Sequence, residues 1–294
     1  MAKVAVVTDS VASIPELLIE ELNIHSVAYY IHRGKEVLRD LVTIQRQEFL
    51  DWLVTARTLP TTASPGPGEY LELYEQLVRK QGVDEIASIH ISSKTSGAYQ
   101  AASVAKSMIA EHLPNIKIEV IDSLNASLCQ GWMVIEAARA AMIGKKLEEI
   151  AVQVKEMIPI TRMIQTADTL RYLYMGGRIG LAKSLAGSLL NIKPLIGVEN
   201  GIVVPLGQAR SRGKAYQMMV DLVDAAVGVG GKIKVAYVHA GALPEVLKIK
   251  QLLEQRLQVV ESLIAELSPA LAVHTGPGTA GFCYYPVNDP DHNI

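Results

Sequence analysis

Strand-length apolar runs alternating with helix-periodic segments predict an α/β protein of two domains. The first is expected to have a mainly parallel sheet flanked by helices, the second a mixed sheet. Three observations carry this prediction. VAVVT after Lys3 and IASIHI after Glu85 are mainly apolar runs of strand length bounded by turn residues, as in strands buried on both faces. Hydrophobic residues make up 49% of the 294 positions with only 2 Phe and 2 Trp, so Val, Ile, Leu and Ala must fill the core. Asn200-Gly201 between two apolar runs is a hairpin signal, which makes the second sheet mixed.

The elements follow in order. The strand at 3–8 ends in Asp9-Ser10, and Ser13, Pro15 and Glu16 open a helix to about residue 22 as cap and first turn. A strand at 25–31, a short polar strand at 35–39 and a helix capped by Thr43 and reaching residue 56 come next. Residues 59–67, LPTTASPGP, hold three prolines and a glycine and predict a stiff loop without regular structure. A helix at 68–81, a strand at 85–91, the loop Ser92–Ser96 and a helix at 97–112 follow, then a strand at 117–121 that ends in Asp122-Ser123. Helices at 126–143 and 147–157 close the first domain, 1–158.

The pattern changes near Pro159, which begins a second domain, 159–294. It opens with a strand at 162–167 and a short helix at 169–175 that runs into Gly176-Gly177-Arg178. A helix at 182–190, the hairpin strands 193–198 and 202–206, a helix at 214–227, a strand at 232–239 and a helix at 243–257 follow. Two final strands enclose VHTGPGTAG at 273–281.

Composition narrows the function. With 28 Lys+Arg against 30 Asp+Glu, the net charge of −2 predicts no attraction to nucleic acid or to anionic membranes. Cys129 and Cys283 form no disulfide framework and read as buried free thiols. No apolar run is long enough for a signal sequence or stable membrane insertion, and a reducing cytoplasm fits. His25, His32, His90, His112, His239 and His292 show no ligand spacing, so no metal is expected.

In parallel sheets, ligands sit beyond the carboxyl ends of the strands. Three hydroxyl-bearing segments fall there: Asp9-Ser10, Ser92–Ser96 and Asp122-Ser123. Ser92–Ser96 with Gly97 leads into a helix, where free N–H groups and the helix dipole make a seat for a carboxylate or phosphate. An ordinary N-cap would need only one of these hydroxyls. Asp9-Ser10 and Asp122-Ser123 read more simply as helix caps that support the site from behind.

Five stretches together resemble the DegV family of bacterial fatty-acid-binding proteins: VVTDS (6–10), TTASPG (61–66), SSKTSGAYQAA (92–102), DTLRYLYMGGRI (168–179) and HTGPGTAG (274–281). The resemblance implies a lipid tunnel between two α/β domains, holding a long-chain fatty acid such as palmitate. It implies no cofactor and no catalytic residue. A separate fatty-acid kinase would phosphorylate the presented carboxyl group, feeding phospholipid synthesis, with the carrier a monomer. Carried over, the carboxyl-binding residues are Thr62, Ser96 (ahead of Ser93) beside Gly97, and His274. Asp9, Ser10, Asp122, Arg178 and Arg210 would support the site or dock the partner.

The chain departs from the family pattern at Ala63-Ser64, at Ala98 and at Arg210-Ser211-Arg212-Gly213-Lys214, where one basic residue is lost. That loss weakens a docking role for the basic run. A hydrolase or phosphate-binding enzyme using Ser92–Ser96 and His274 is the alternative, with Ser96, His274 and an Asp as a triad. Neither G-x-x-x-x-G-K-[ST] nor G-x-S-x-G occurs, and Gly228-Val229-Gly230-Gly231 precedes a strand rather than following one. A lipid-free interaction module of the same fold is the third reading; the apolar stretch 182–190 could line a tunnel or pack as core, and core is the default.

Overall fold

The computed structural model describes residues 3–185 and 192–287. Its strands are β1 (Val4–Asp9), β2 (Ile24–Val27), β3 (Tyr30–Arg33), β4 (Glu36–Arg39), β5 (Thr61–Ala63), β6 (Glu85–His90), β7 (Lys117–Asp122), β8 (Arg162–Thr166), β9 (Lys193–Glu199), β10 (Ile202–Ala209), β11 (Lys232–His239), β12 (Gln258–Glu266) and β13 (Ala280–Pro286). The helices are α1 (Glu16–Glu21), α2 (Arg46–Thr55), α3 (Pro67–Gln81), α4 (Ala98–Ala110), α5 (Ser127–Met142), α6 (Leu147–Met157), α7 (Arg171–Met175), α8 (Arg212–Val227), α9 (Leu243–Glu254) and α10 (Pro269–Thr275).

Strands up to residue 158 form a parallel sheet, order β2-β1-β6-β7, and a small antiparallel sheet, order β4-β3-β5. Those after it form one mixed sheet, order β10-β9-β8-β13-β11-β12, in which only β11 and β12 pair in parallel. The fold is thus the α/β class expected, with a mainly parallel sheet and a mixed one. Asn200 (φ 48°) and Gly201 (φ 85°) make the tight turn between β9 and β10, the left-handed pair such a hairpin needs.

The cores meet across the two halves. One apolar cluster runs from β1, β6 and α5 into Met163, Val238, Ala272 and Cys283 of the second half. Another lies under α8 and α9, on Tyr216, Met219, Val235 and Phe282. Trp132 of α5 is fully buried and donates from Nε1 to the Cys283 carbonyl at 3.3 Å, pinning α5 against β13. Cys129 and Cys283 are both free and buried.

Several local expectations need correction. The strand expected at 25–31 is two strands in different sheets, because the Tyr29 N–H turns to the Ser10 hydroxyl between them. Thr43 does not cap α2: its hydroxyl accepts from the Arg39 N–H, and Gln45 is the N-cap. LPTTASPGP is not free of regular structure, since Thr61–Ala63 pairs with β3 while the prolines flank the strand. The stretch 273–281 does not simply join two strands: Ser268 caps a short helix with Pro269 in its first turn, and His274 lies in its last turn. Of the helix expected at 182–190, the part to Leu185 belongs to a 3-10 helix, Gly180–Leu185, and the rest lies outside the described residues.

Candidate functional site

The loops at the carboxyl ends of the parallel strands face the second sheet across a cavity of about 340 Å³. Its wall is largely apolar, with Val11, Ile91, Met163, Leu173, Ile196 and Leu271 contributing. Polar groups interrupt it. β5 brings Thr62, the β6–α4 loop brings Thr95, Ser96 and Gly97, and α10 brings His274 and Thr275.

Thr62 Oγ1 and His274 Nε2 lie 2.8 Å apart, a hydrogen bond between the two halves of the chain. His274 Nδ1 is buried with no partner among the described residues and packs on Gly176, where a Cβ would stand 2.3 Å from it. Reciprocally, Gly276 (φ 78°) lies against the Tyr172 ring, and a Cβ there would be 2.2 Å from it. The glycines of MGGR and HTGPG thus let these two segments interlock. Burial, then the nearby charge of Arg178, pushes the His274 imidazole down to about 4, so it is neutral at pH 7.

The Ser96 hydroxyl lies 2.5 Å from the Tyr29 hydroxyl. Burial and the charge of Asp9 hold the Tyr29 phenol well above its usual 10, so it stays protonated. Ser96 is not a cap: Gly97 is the N-cap of α4 and no side chain caps that end. Ser92 donates to the Gly201 carbonyl at 2.8 Å, seating the hairpin tip on the loop. Arg178 reaches the Gly176 carbonyl at 2.7 Å and the Thr95 carbonyl at 3.4 Å, again linking the halves. Next to this cavity lies a second one of about 350 Å³, lined in part by Thr58, Thr61, Met175 and Gly176, that shares Thr62, Arg178 and His274 with the first.

The structure therefore brings Thr62, Ser92, Thr95, Ser96, Gly97, His274 and Arg178 to one cavity and leaves Asp9, Ser10, Ser93, Asp122 and Arg210 off its wall. Ser93 is half-buried and its N–H donates to Asp122 Oδ1 at 3.2 Å, as does the Leu124 N–H at 2.9 Å. Asp9 and Ser10 are not simple caps. Asp9 accepts from the Ile91 N–H and from Gln130, and is joined to His90. Ser10 donates to Asp40 at 2.6 Å. Arg210 is exposed, whereas Arg212 of the same basic run is tied to Asp168 and the Gly278 carbonyl. Among the described residues, no group of three His, Cys, Asp or Glu is placed to hold a metal ion.

Sequence reasoning missed three participants. Tyr29 gave no signal beyond an aromatic in a strand pattern. Asp40 is buried and accepts from the Ala270 N–H, anchoring the start of α10 to the first half. Gln165 lines the cavity from β8, where alternation alone marks it as facing one side.

Fold and site define a class: an α/β protein with an internal, amphipathic cavity between a parallel and a mixed sheet. A family model described as "Uncharacterised protein, DegV family" matches residues 3–287, and the chain belongs to the DegV family. A DegV domain-containing protein of Caldanaerobacter subterraneus subsp. tengcongensis is 33% identical over 281 residues, 96% of this chain and 98% of that one. The structure titled "Fatty Acid Binding of a DegV family Protein from Thermus thermophilus" superposes with a TM-score of 0.90 at 30% identity, covering 97% of this chain and 100% of the other. DegV of Bacillus subtilis, described as a fatty acid binding protein, gives 0.85 at 30% identity, with 98% and 100% covered. No helix among the described residues is long and apolar enough to cross a membrane.

Proposed function

We propose that this protein binds a long-chain fatty acid, such as palmitate, in the cavity between an N-terminal domain, 1–158, and a C-terminal domain, 159–294. The carboxyl group would lie at Thr62, Ser96, the Gly97 end of α4 and His274, with the Arg178 charge beside it. The observation that carries the reading is the cavity itself, largely apolar in its wall and crossed at one place by the Thr62–His274 hydrogen bond. The fatty-acid binding of the Thermus thermophilus and Bacillus subtilis relatives supports it.

The physical chemistry is consistent. A sixteen-carbon acid buries about fourteen methylenes at roughly 0.8 kcal/mol each, or about 11 kcal/mol gross. Each head-group hydrogen bond adds roughly 1 kcal/mol net, more when charge-assisted. The tail therefore dominates affinity and the polar end sets orientation. A neutral His274 with two hydroxyls satisfies a carboxylate leaving water without a buried counter-charge.

The protein would do no chemistry itself. It would present the carboxyl group to a fatty-acid kinase that supplies acyl phosphate for phospholipid synthesis, acting as a cytoplasmic monomer. Ser93 would serve the loop through its backbone bond to Asp122 rather than touch the ligand. Native mass spectrometry of the purified protein, with lipid identification after denaturation, tests the reading. A stoichiometric fatty-acid adduct is expected, and an empty protein that takes up no added fatty acid would overturn it. Turnover of a chromogenic acyl ester above background would favour the hydrolase instead.

A further inference from the structure

A carboxylate can accept more hydrogen bonds than Thr62, His274, Ser96 and Tyr29 can give. The Thr62–His274 and Ser96–Tyr29 contacts, 2.8 and 2.5 Å long, each use one proton. With His274 neutral and Tyr29 protonated, these four groups carry four protons, so two remain for a ligand. The two oxygens of a carboxylate offer about four lone-pair sites, and leaving them empty away from water is unfavourable.

Further donors stand beside this seat. β6 and β7 are neighbouring strands, about 4.8 Å apart. The Ser92 N–H donates to the Asn125 carbonyl at 2.8 Å, which joins the β6–α4 loop to the turn before α5. Ala126 is the N-cap of α5, lines the cavity, and leaves the first N–H groups of this 16-residue helix without a side-chain cap. Ser127, the next residue, is 1% exposed and lines the same wall, and its Oγ has no partner among the described residues. Asn125 Oδ1, on a side chain 4% exposed, has none either, and a half-turn of that amide would put the Nδ2 donor in its place. Ser127 is also held at φ 55°, where glycine would carry no strain. The turn keeps a hydroxyl there instead.

Resting on the carrier reading, we infer that the start of α5, with Ser127 and the Asn125 side chain, is the second half of the carboxyl seat. One carboxylate oxygen would be met by Thr62 with His274 and by Ser96. The other would be met by Ser127 Oγ and the first N–H groups of α5. The positive ends of two helices, α4 and α5, would then share one negative charge. A neutral head group on the same tail gains far less from either end, so the start of α5 selects for the acid.

The test is competition against a fluorescent fatty acid by palmitic acid and by hexadecanol, which pairs a tail of the same length with a neutral head. Ser127→Gly removes the hydroxyl and suits the left-handed backbone, so its Tm should hold or rise. Ser127→Ala removes the hydroxyl without that relief. Either variant should bind palmitic acid about tenfold more weakly, the loss of one hydrogen bond to a charged group, with hexadecanol much less affected. Unchanged affinity for palmitic acid in both variants, or a fall shared equally by hexadecanol, would overturn the inference and leave the carrier reading standing. A native chain that binds neither compound would overturn both.

Discussion

His90 and His274 are both buried from solvent to a large degree, and their surroundings differ in one respect. His90 is wholly enclosed, with Nε2 2.7 Å from Ser88 Oγ and Nδ1 3.0 Å from Asp9 Oδ2. The chain continues through the Tyr74 hydroxyl at one end and Gln130 at the other, with the Tyr70 ring edge-on to the imidazole. This is a Ser-His-Asp sequence of contacts, but it is fully enclosed, so it braces the ends of β1 and β6 rather than meeting a substrate. Among the described residues, His274 instead has Nδ1 unpartnered and bonds through Nε2 to Thr62 at the wall of a cavity. The acid that a Ser96–His274 triad would need is not bonded to His274, and Ser96 pairs with Tyr29. Polar groups that satisfy one another make a frame. Those left with unmet capacity beside a cavity make a binding site.

The sharpest way to break this contrast is His90→Ala. It leaves Asp9 and Ser88 buried with a partner missing, and should remove about 3 kcal/mol of stability. Urea unfolding reads this, and a loss below about 1 kcal/mol would mean that the enclosed chain is no frame. Gly176→Ala addresses the other histidine from behind. Its Cβ would meet His274 Nδ1 at 2.3 Å and the Tyr172 carbonyl at 3.0 Å. Displacement of the ring should cost about 1–3 kcal/mol, seen as a lowered Tm. An unchanged Tm would show the imidazole to be loosely held.

Protonation sharpens the contrast further. Burial and Arg178 hold His274 at about 4 against an ordinary 6.5. As pH falls from 6.5 towards 4, the unfolded chain takes up the proton before the folded one. The contribution of a neutral His274 is therefore complete above about pH 6.5 and is lost through that window. A carboxylate bound beside the ring should reverse part of this, raising the value by about one pH unit or roughly 1.4 kcal/mol. Titration of the His274 imidazole by NMR, with and without palmitate, measures it; the same value in both would place the carboxyl group elsewhere. The smallest effect is expected for Thr62→Ala. It should weaken fatty-acid binding about five- to tenfold, near 1 kcal/mol, while folding stability changes little. Complete loss of binding would contradict an affinity carried by the tail.

Much of the frame was legible because it depends on local pattern. The buried strands 85–90 and 232–239, the helix at 147–157 and the Asn200-Gly201 hairpin each announce themselves through periodicity or turn chemistry. Elements whose existence depends on a distant partner did not. Thr61–Ala63 is a strand only because β3 lies beside it, and the Tyr29 N–H leaves the strand pattern because Ser10 accepts it. The short helix carrying His274 had a usable signal in Ser268-Pro269, but seven residues are too few for periodicity to show.

By itself the sequence determined most of the order of elements, the parallel first sheet with a mixed second one, and the hydroxyl, glycine and histidine segments that meet at the cavity. Alternation and turn residues act within a few positions, so they survive without tertiary context. Only the tertiary structure decided which polar residues face the cavity. Asp9 and Ser93 turn to partners behind the loop, Thr62 turns to a histidine 212 residues away, and Asn125 Oδ1 and Ser127 Oγ, on the cavity wall, have no partner among the described residues. Hydrogen bonds between segments far apart in the chain settle that choice, and no local spacing encodes them.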